Sequence, residues 1–241
     1  MSNSYFRFRE FVVHQRRTAM KVGTDGVLLG AWASLTGCEG RILDVGTGTG
    51  LIALMAAQRT TGTLIDAIEI DPAAAEQARQ NAEDSPWADR ISIEAVSLQE
   101  FSERADRPQY DHILSNPPYF VDSLRSPDAG REAARHAGWL TYDELVAGVV
   151  RLLTPDGRFS VIFPYEESAI FVVRAAIEGL YCVRRTHVHT TPGRPVKRVL
   201  LNFSRTRPVS VEEETLVIEN VDRNGYSDAY RQLTRDFYLY F

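Results

Sequence analysis

The sequence predicts an α/β fold: a mostly parallel, seven-stranded sheet with an antiparallel pair at its C-terminal edge and helices on both faces. Three observations predict it. From residue 41 to about residue 180, short apolar runs alternate with amphipathic stretches of helical length, the pattern of βαβ units. The first of those runs leads into a glycine-rich turn that opens a helix. Beyond residue 180, two long alternating segments follow one another without a helical pattern between them, as in an antiparallel hairpin.

The first strand runs from Arg41 to Val45, and its turn opens a helix through Leu51 to Gln58. Leu64 to Ile70 is the second strand. Asp71-Pro72 then starts a helix through Ala73 to Glu83, because proline in the first turn forfeits no needed donor. Ile91 to Val96 and Tyr110 to Leu114 are the third and fourth strands. A helix over Tyr142 to Leu153 ends at the turn Thr154-Pro155-Asp156-Gly157, where proline and glycine stop it. Arg158 to Phe163 is the fifth strand, followed by a helix over Glu166 to Glu178. Tyr181 to Val188 and Lys197 to Ser204 form the hairpin, joined by Thr190 to Pro195. Upstream, Thr24 or Asp25 is placed to cap a helix through Val27 to Ala33. No repeat, low-complexity tract or linker divides residues 1–241, so one domain is expected, with the first 40 residues and the tail after Pro208 as appendages.

Composition excludes fibrous, disordered and membrane classes: hydrophobic residues are 44% and charged residues 24%. No window approaches the roughly 20 apolar residues of a spanning helix, and the first residues lack a signal peptide's apolar core. Cys38 and Cys182 lie far apart and outside any Cys or Cys/His cluster, which predicts free thiols in a reducing cytoplasm and no metal. The net charge of −5 conceals an asymmetry. Residues 1 to 24 carry five basic groups against Glu10 alone, and residues 181 to 211 carry seven and no acid, so these segments hold +11 and the remainder −16. A basic hairpin with Arg184, Arg185, Arg194, Lys197 and Arg198 suits tracking of phosphates without reading sequence. The alternative for the same residues is an edge strand protected by charge.

The turn reads Asp44-Val45-Gly46-Thr47-Gly48-Thr49-Gly50. Glycines let the backbone turn sharply and approach a ligand without a Cβ clash. Glu69, at the end of the second strand, is placed to accept both hydroxyls of a ribose. A dinucleotide fold wants G-x-G-x-x-G before a helix that faces pyrophosphate; here the spacing is G-x-G-x-G, and Asp44 suits an ammonium group better than a phosphate. Together these favour S-adenosylmethionine.

On these residues the chain resembles class I S-adenosylmethionine-dependent methyltransferases, which have a Rossmann-like fold. The resemblance implies that Gly46 and Gly48 contact the cofactor and that Glu69 binds its ribose. The contact to the cofactor's adenine falls to Ser97 or a backbone amide, since no Asp or Asn ends the third strand.

The fourth strand delivers Ser115-Asn116-Pro117-Pro118-Tyr119-Phe120 to the same rim, where ligands of parallel sheets bind. An amide or aromatic NH₂ is a poor nucleophile because its lone pair is delocalised. The Asn116 side-chain oxygen and the Pro117 carbonyl can each accept one N–H and aim that lone pair at a methyl group, through positioning and electrostatics. Consecutive prolines hold the two acceptors at a fixed angle. Tyr119 can stack on a planar acceptor, and Phe120 can wall the pocket. The [DNS]-P-P-[YFW] pattern resembles that of enzymes methylating exocyclic amines of bases or the glutamine amide of release factors, and leaves the two open.

The chain ends are more specific. Met20 to Ala33 (MKVGTDGVLLGAWA), the upstream Phe6-x-Phe8-x-x-Phe11 and Tyr226 to Leu239 (YSDAYRQLTRDFYL) closely resemble the bacterial tRNA adenine methyltransferase family that modifies position 37 of a valine tRNA. That resemblance spans nearly the whole chain. It implies a tRNA partner, 6-methyladenine as product, and a segment from Lys21 through Gly23 and Thr24 to Asp25 folded over the cofactor site. An unpaired anticodon-loop adenine costs only stacking energy to splay out. His14, His136, His187 and His189 read as surface or phosphate-contacting groups, and the amine proton can leave to water without a dedicated base. Two rival readings, a release-factor glutamine methyltransferase and a non-catalytic RNA-binding module, are disfavoured by the short N-terminal segment and by the intact Gly46, Gly48, Glu69 and Asn116 respectively. A small-metabolite methyltransferase would leave the two basic segments without a purpose.

Overall fold

A computed structural model describes residues 3–18, 20–35, 40–118, 140–221 and 225–240. Tyr119, Phe120, His136 and Cys38 lie outside the described residues. Along the chain the elements are β1 (Tyr5–Arg7), β2 (Val12–His14), α1 (Thr24–Trp32), β3 (Arg41–Val45), α2 (Leu51–Arg59), β4 (Leu64–Glu69), α3 (Pro72–Glu83), β5 (Ile91–Ala95) and α4 (Leu98–Glu103). They continue as β6 (Tyr110–Ser115), α5 (Tyr142–Leu152), β7 (Leu153–Pro164), α6 (Tyr165–Ile177), β8 (Tyr181–His189), β9 (Val196–Ser204), β10 (Glu212–Val217) and α7 (Asp228–Thr234).

The main sheet has the order β10-β8-β9-β7-β6-β3-β4-β5. β7, β6, β3, β4 and β5 run parallel, β9 is antiparallel to β7 and to β8, and β10 lies parallel outside β8. All seven expected strands are present, but the sheet has eight: Glu212–Val217 joins it, so the antiparallel pair does not form the edge. Strands buried on both faces read as continuous apolar runs, and β3 and β6 are buried almost throughout. On one face Ile42, Ile65 and Leu114 meet Leu28 and Leu29 of α1 and Leu54 of α2. On the other, Leu43, Ile113 and Phe159 meet Val146 of α5 and Phe171 of α6.

Two local expectations need correction. Neither Thr24 nor Asp25 caps α1: Gly23 occupies the cap position with extended backbone and no side-chain bond, and Asp25 lies in the first turn. The Thr154–Gly157 stretch does follow the end of α5, but as an irregular opening of β7. Leu153 sits opposite Tyr110 while Arg158 already faces His112, so the extra residues bulge out of the ladder. α3 starts at Asp71-Pro72 as expected, and the Asp71 carboxylate caps it by accepting the Ala73 N–H at 2.9 Å.

The chain ends are part of the core, not appendages. Phe8 and Phe11 beside the β1–β2 hairpin, Tyr230 of α7 and Phe237 share one buried cluster with α1 and α2. Arg9 N–H donates to Phe237 O at 2.8 Å, and the Phe8 and Tyr238 rings stack at 5.9 Å. Among the described residues no helix is long and apolar enough to cross a membrane.

Candidate active site

The β3–α2 turn is built for close approach. Gly46, Gly48 and Gly50 have φ of 71°, 57° and 81°, a region costly for any residue with a Cβ. A Cβ on Gly46 or Gly48 would meet nothing within 4 Å, whereas one on Gly50 would meet Ala78 of α3 at 3.4 Å. The first two glycines therefore face open space and the third serves packing. Three bonds fix the loop: Gly46 N–H and Thr47 N–H donate to Ile68 O at 2.9 and 3.0 Å, and Gly48 N–H donates to Glu69 Oε2 at 2.9 Å. The other Glu69 oxygen accepts the Asp71 N–H at 3.0 Å. A carboxylate offers about four acceptor positions, so the backbone uses half of them and braces the group for further hydroxyl donors.

Asp44 lies beneath the turn and is fully buried. Its Oδ2 accepts from Thr47 Oγ1 at 2.5 Å and from Ala53 N–H at 3.2 Å, joining the loop to the first turn of α2. Its Oδ1 is buried with no hydrogen-bond partner in the protein. Burial raises the carboxyl from 3.8 to about 7; the Thr47 and Ala53 bonds oppose the shift and the nearby Glu69 charge adds to it.

Asn116 follows β6, whose end is pinned to β3 by the Ser115 hydroxyl donating to Val45 O at 2.9 Å. Two cavities meet at Asn116, Gly46 and Gly48. The first, of about 290 Å³, is mainly apolar, with Ile70, Ala74, Val96 and Leu140 in its wall and Glu69, Ser97 and Pro117 also lining it. The second, of about 350 Å³, has more polar side chains in its wall, with Lys21, Thr24 and Asp25 beside Gly23 opposite Thr47 and Thr49, while apolar atoms still supply most of its surface. The structure thus brings together Asn116, Pro117, both turn glycines, Glu69, Ser97 and the segment from Lys21 to Asp25. Ser97 caps α4, its hydroxyl oxygen accepting the Glu100 N–H at 3.1 Å. Its neighbour Gln99 lines the same cavity, a residue that no sequence signal singled out.

The basic hairpin divides in two. Arg184 forms a two-point pair with Glu214 at 3.1 Å on both bonds, and its guanidinium lies 4.4 Å from the Trp32 ring. Arg185 pairs with Glu213 at 3.4 Å. Both acids belong to β10. Arg198 Nε donates to Asp25 Oδ2 at 2.8 Å. Arg194 and Lys197 are exposed. Arg198 lies opposite Pro164, the last residue of β7, which puts the start of β9 on the rim that carries Asn116. Among the described residues no three His, Cys, Asp or Glu side chains converge as metal ligands would.

Comparison with known proteins follows the same lines. A family model described as methyltransferase small domain matches residues 24–186. A Bacteroides fragilis protein named tRNA1(Val) (adenine(37)-N6)-methyltransferase is 48% identical over 99% of this chain and 99% of its own length. A Flavobacterium johnsoniae protein of the same name is 45% identical over 97% of this chain and 99% of its own. Among solved structures, a predicted O-methyltransferase from Agrobacterium tumefaciens matches with a TM-score of 0.66 at 20% identity, over 90% of this chain and 98% of that one. TrmN from Thermus thermophilus matches at 0.52 and 23% identity, over 70% of this chain and 45% of that one. At these identities the two structures show the shared fold.

Proposed function

This chain belongs to the tRNA1(Val) (adenine(37)-N6)-methyltransferase family, and from that premise we propose how its own residues transfer a methyl group to the 6-amino group of adenine 37 in a valine tRNA. The observation that carries the proposal is the place of Asn116, where two cavities meet beside an open glycine turn.

The donor set fits S-adenosylmethionine. Gly46 and Gly48 leave room for a ligand against the backbone, Glu69 keeps acceptor positions for ribose hydroxyls, and the apolar cavity suits a planar adenine beside Ser97. Asp25 in the wall of the second cavity, joined by Asp44 beneath the turn once the pH exceeds about 7, places negative charge where a cationic amino-acid end requires it. When bound, the cofactor supplies an electrophilic methyl on a sulfonium that leaves as a neutral thioether.

The protein's part is orientation. Asn116 Oδ1 and the Pro117 carbonyl accept the two N–H bonds of the adenine amine, which localises its lone pair and directs it into the shared mouth of the cavities. The apolar wall excludes water from the reacting amine, and the proton released after transfer passes to solvent. Arg194 and Lys197, exposed on the rim, meet the phosphates of the anticodon arm. The reaction takes place on cytoplasmic tRNA.

Incubation with labelled S-adenosylmethionine and unmodified bulk tRNA tests the reading. Label is expected in tRNA and not in a release-factor peptide; label in the peptide alone would overturn it.

A further inference from the structure

Arg198 is less exposed than Arg194 and Lys197, and its guanidinium is engaged by the protein itself. Its Nε donates to Asp25 at 2.8 Å and its Nη1 to the Lys197 carbonyl at 3.0 Å. The Arg198 and Asp25 side chains are 31% and 23% exposed, so the pair is less screened than one on open surface. Arg198 also acts on a second carboxyl: burial raises Glu167, and the Arg198 charge pulls it back.

Asp25 is one wall residue of the second cavity. The segment leading into it is held elsewhere by Gln15, a buried side chain whose Oε1 accepts the Val22 N–H at 2.8 Å and whose Nε2 donates to Asn3 O at 3.0 Å. The first turn of α1 has no slack on its inner side. A Cβ on Gly26 would lie 3.0 Å from Leu51 and 4.0 Å from the Asn116 amide nitrogen. Any outward drift of this turn therefore moves the cavity wall and the packing around Asn116 together.

We propose that Arg198 is a positioning residue of the cofactor site, which holds the wall from residue 20 to residue 26 in place through Asp25 and does not contact tRNA phosphate. The inference rests on the cofactor reading above. Arg198 and Gln15 then anchor the segment at two points, and the fold of the C-terminal hairpin becomes a condition for tight cofactor binding. The tRNA-facing task at the start of β9 falls to Lys197, whose side chain is exposed to solvent.

The test is calorimetric titration of the full chain with S-adenosylhomocysteine, which measures binding without turnover. Arg198→Ala is expected to raise Kd about tenfold, within the range of coupling energies for residues in contact. Arg198→Lys should restore most of the affinity. Lys197→Ala should leave Kd unchanged and raise KM for tRNA. Adding Asp25→Asn to Arg198→Ala should cost less than the two single losses combined. Thermal melts accompany each variant, and Arg198→Gln replaces Arg198→Ala if the latter does not fold. An unchanged Kd in Arg198→Ala, with a raised KM for tRNA and a shallower salt dependence, would overturn the inference and make Arg198 a phosphate contact. Absence of binding by the unaltered protein would instead overturn the cofactor reading, and this inference with it.

Discussion

Replacing Asp44 with asparagine should make the protein's stability less dependent on pH. Asp44 is fully buried, and burial lifts its carboxyl from 3.8 to about 7 against the two donors that oppose the change. A raised native value means that the folded protein keeps a proton the unfolded chain has already released. The stability this lends is complete below pH 3.8 and is lost as pH rises toward 7. Between pH 5 and pH 8 the loss is about 3 kcal/mol, because each pH unit over which only the folded state holds the proton costs about 1.4 kcal/mol. Asparagine has no such proton to lose. It keeps an oxygen for Thr47 and Ala53 but sets an NH₂ where Oδ1 has no protein partner, at a pH-independent cost of about 1–3 kcal/mol. Urea unfolding followed by tryptophan fluorescence, on both proteins at pH 5 and pH 8, measures the difference directly. The stability gap should move in favour of the variant by about 3 kcal/mol from the lower pH to the higher. Parallel pH dependence in the two proteins would refute the reasoning. At pH 8 the variant should also bind S-adenosylmethionine more weakly, since a fixed negative charge beneath the turn has gone.

Three further outcomes are expected. Asn116→Ala should lower kcat by about 10²–10³-fold, as loss of one preorganised hydrogen-bonding partner does, while calorimetry shows cofactor affinity nearly unchanged; a large loss of affinity would mean that Asn116 holds the cofactor. Arg184→Ala should lower the melting temperature, reflecting about 1–2 kcal/mol from the ion pair with Glu214 and the Trp32 ring contact, and leave KM for tRNA unaltered. Arg194→Ala combined with Lys197→Ala should raise KM for tRNA and reduce the slope of log affinity against log salt by up to about 2.

The parallel core was legible because its signals are local. Apolar runs, the Asp71-Pro72 start and the glycine turn each report on a few neighbouring residues, and the structure places β3 through β7 where those signals lie. Asn116, Glu69 and the two glycines were legible for the same reason: strand ends in a parallel sheet share one rim. What stayed hidden depends on distant partners. Counting charge along residues 181 to 211 made Arg184 and Arg185 look available, because Glu213 and Glu214 follow only after the segment ends and reach them through a parallel pairing. β10 itself carries three consecutive glutamates, too polar to read as a strand. Gln15 and Asn81 were missed similarly. Asn81 is fully buried and bonds His14 N–H, His14 O and Thr49 O, tying the β1–β2 hairpin to the glycine turn, but a helical asparagine gives no sign of such bonds in sequence. The integration of the chain ends rests on contacts such as Arg9 to Phe237, which periodicity cannot report.

Mass spectrometry of an unmodified valine tRNA, digested after incubation with the protein and S-adenosylmethionine, tests the central claim most directly. The account predicts one added methyl group, on N6 of adenine 37, formed by the unaltered protein and far more slowly by Asn116→Ala. A methyl group on another atom or another nucleotide, or an unmodified tRNA beside a protein that binds the cofactor, would contradict it.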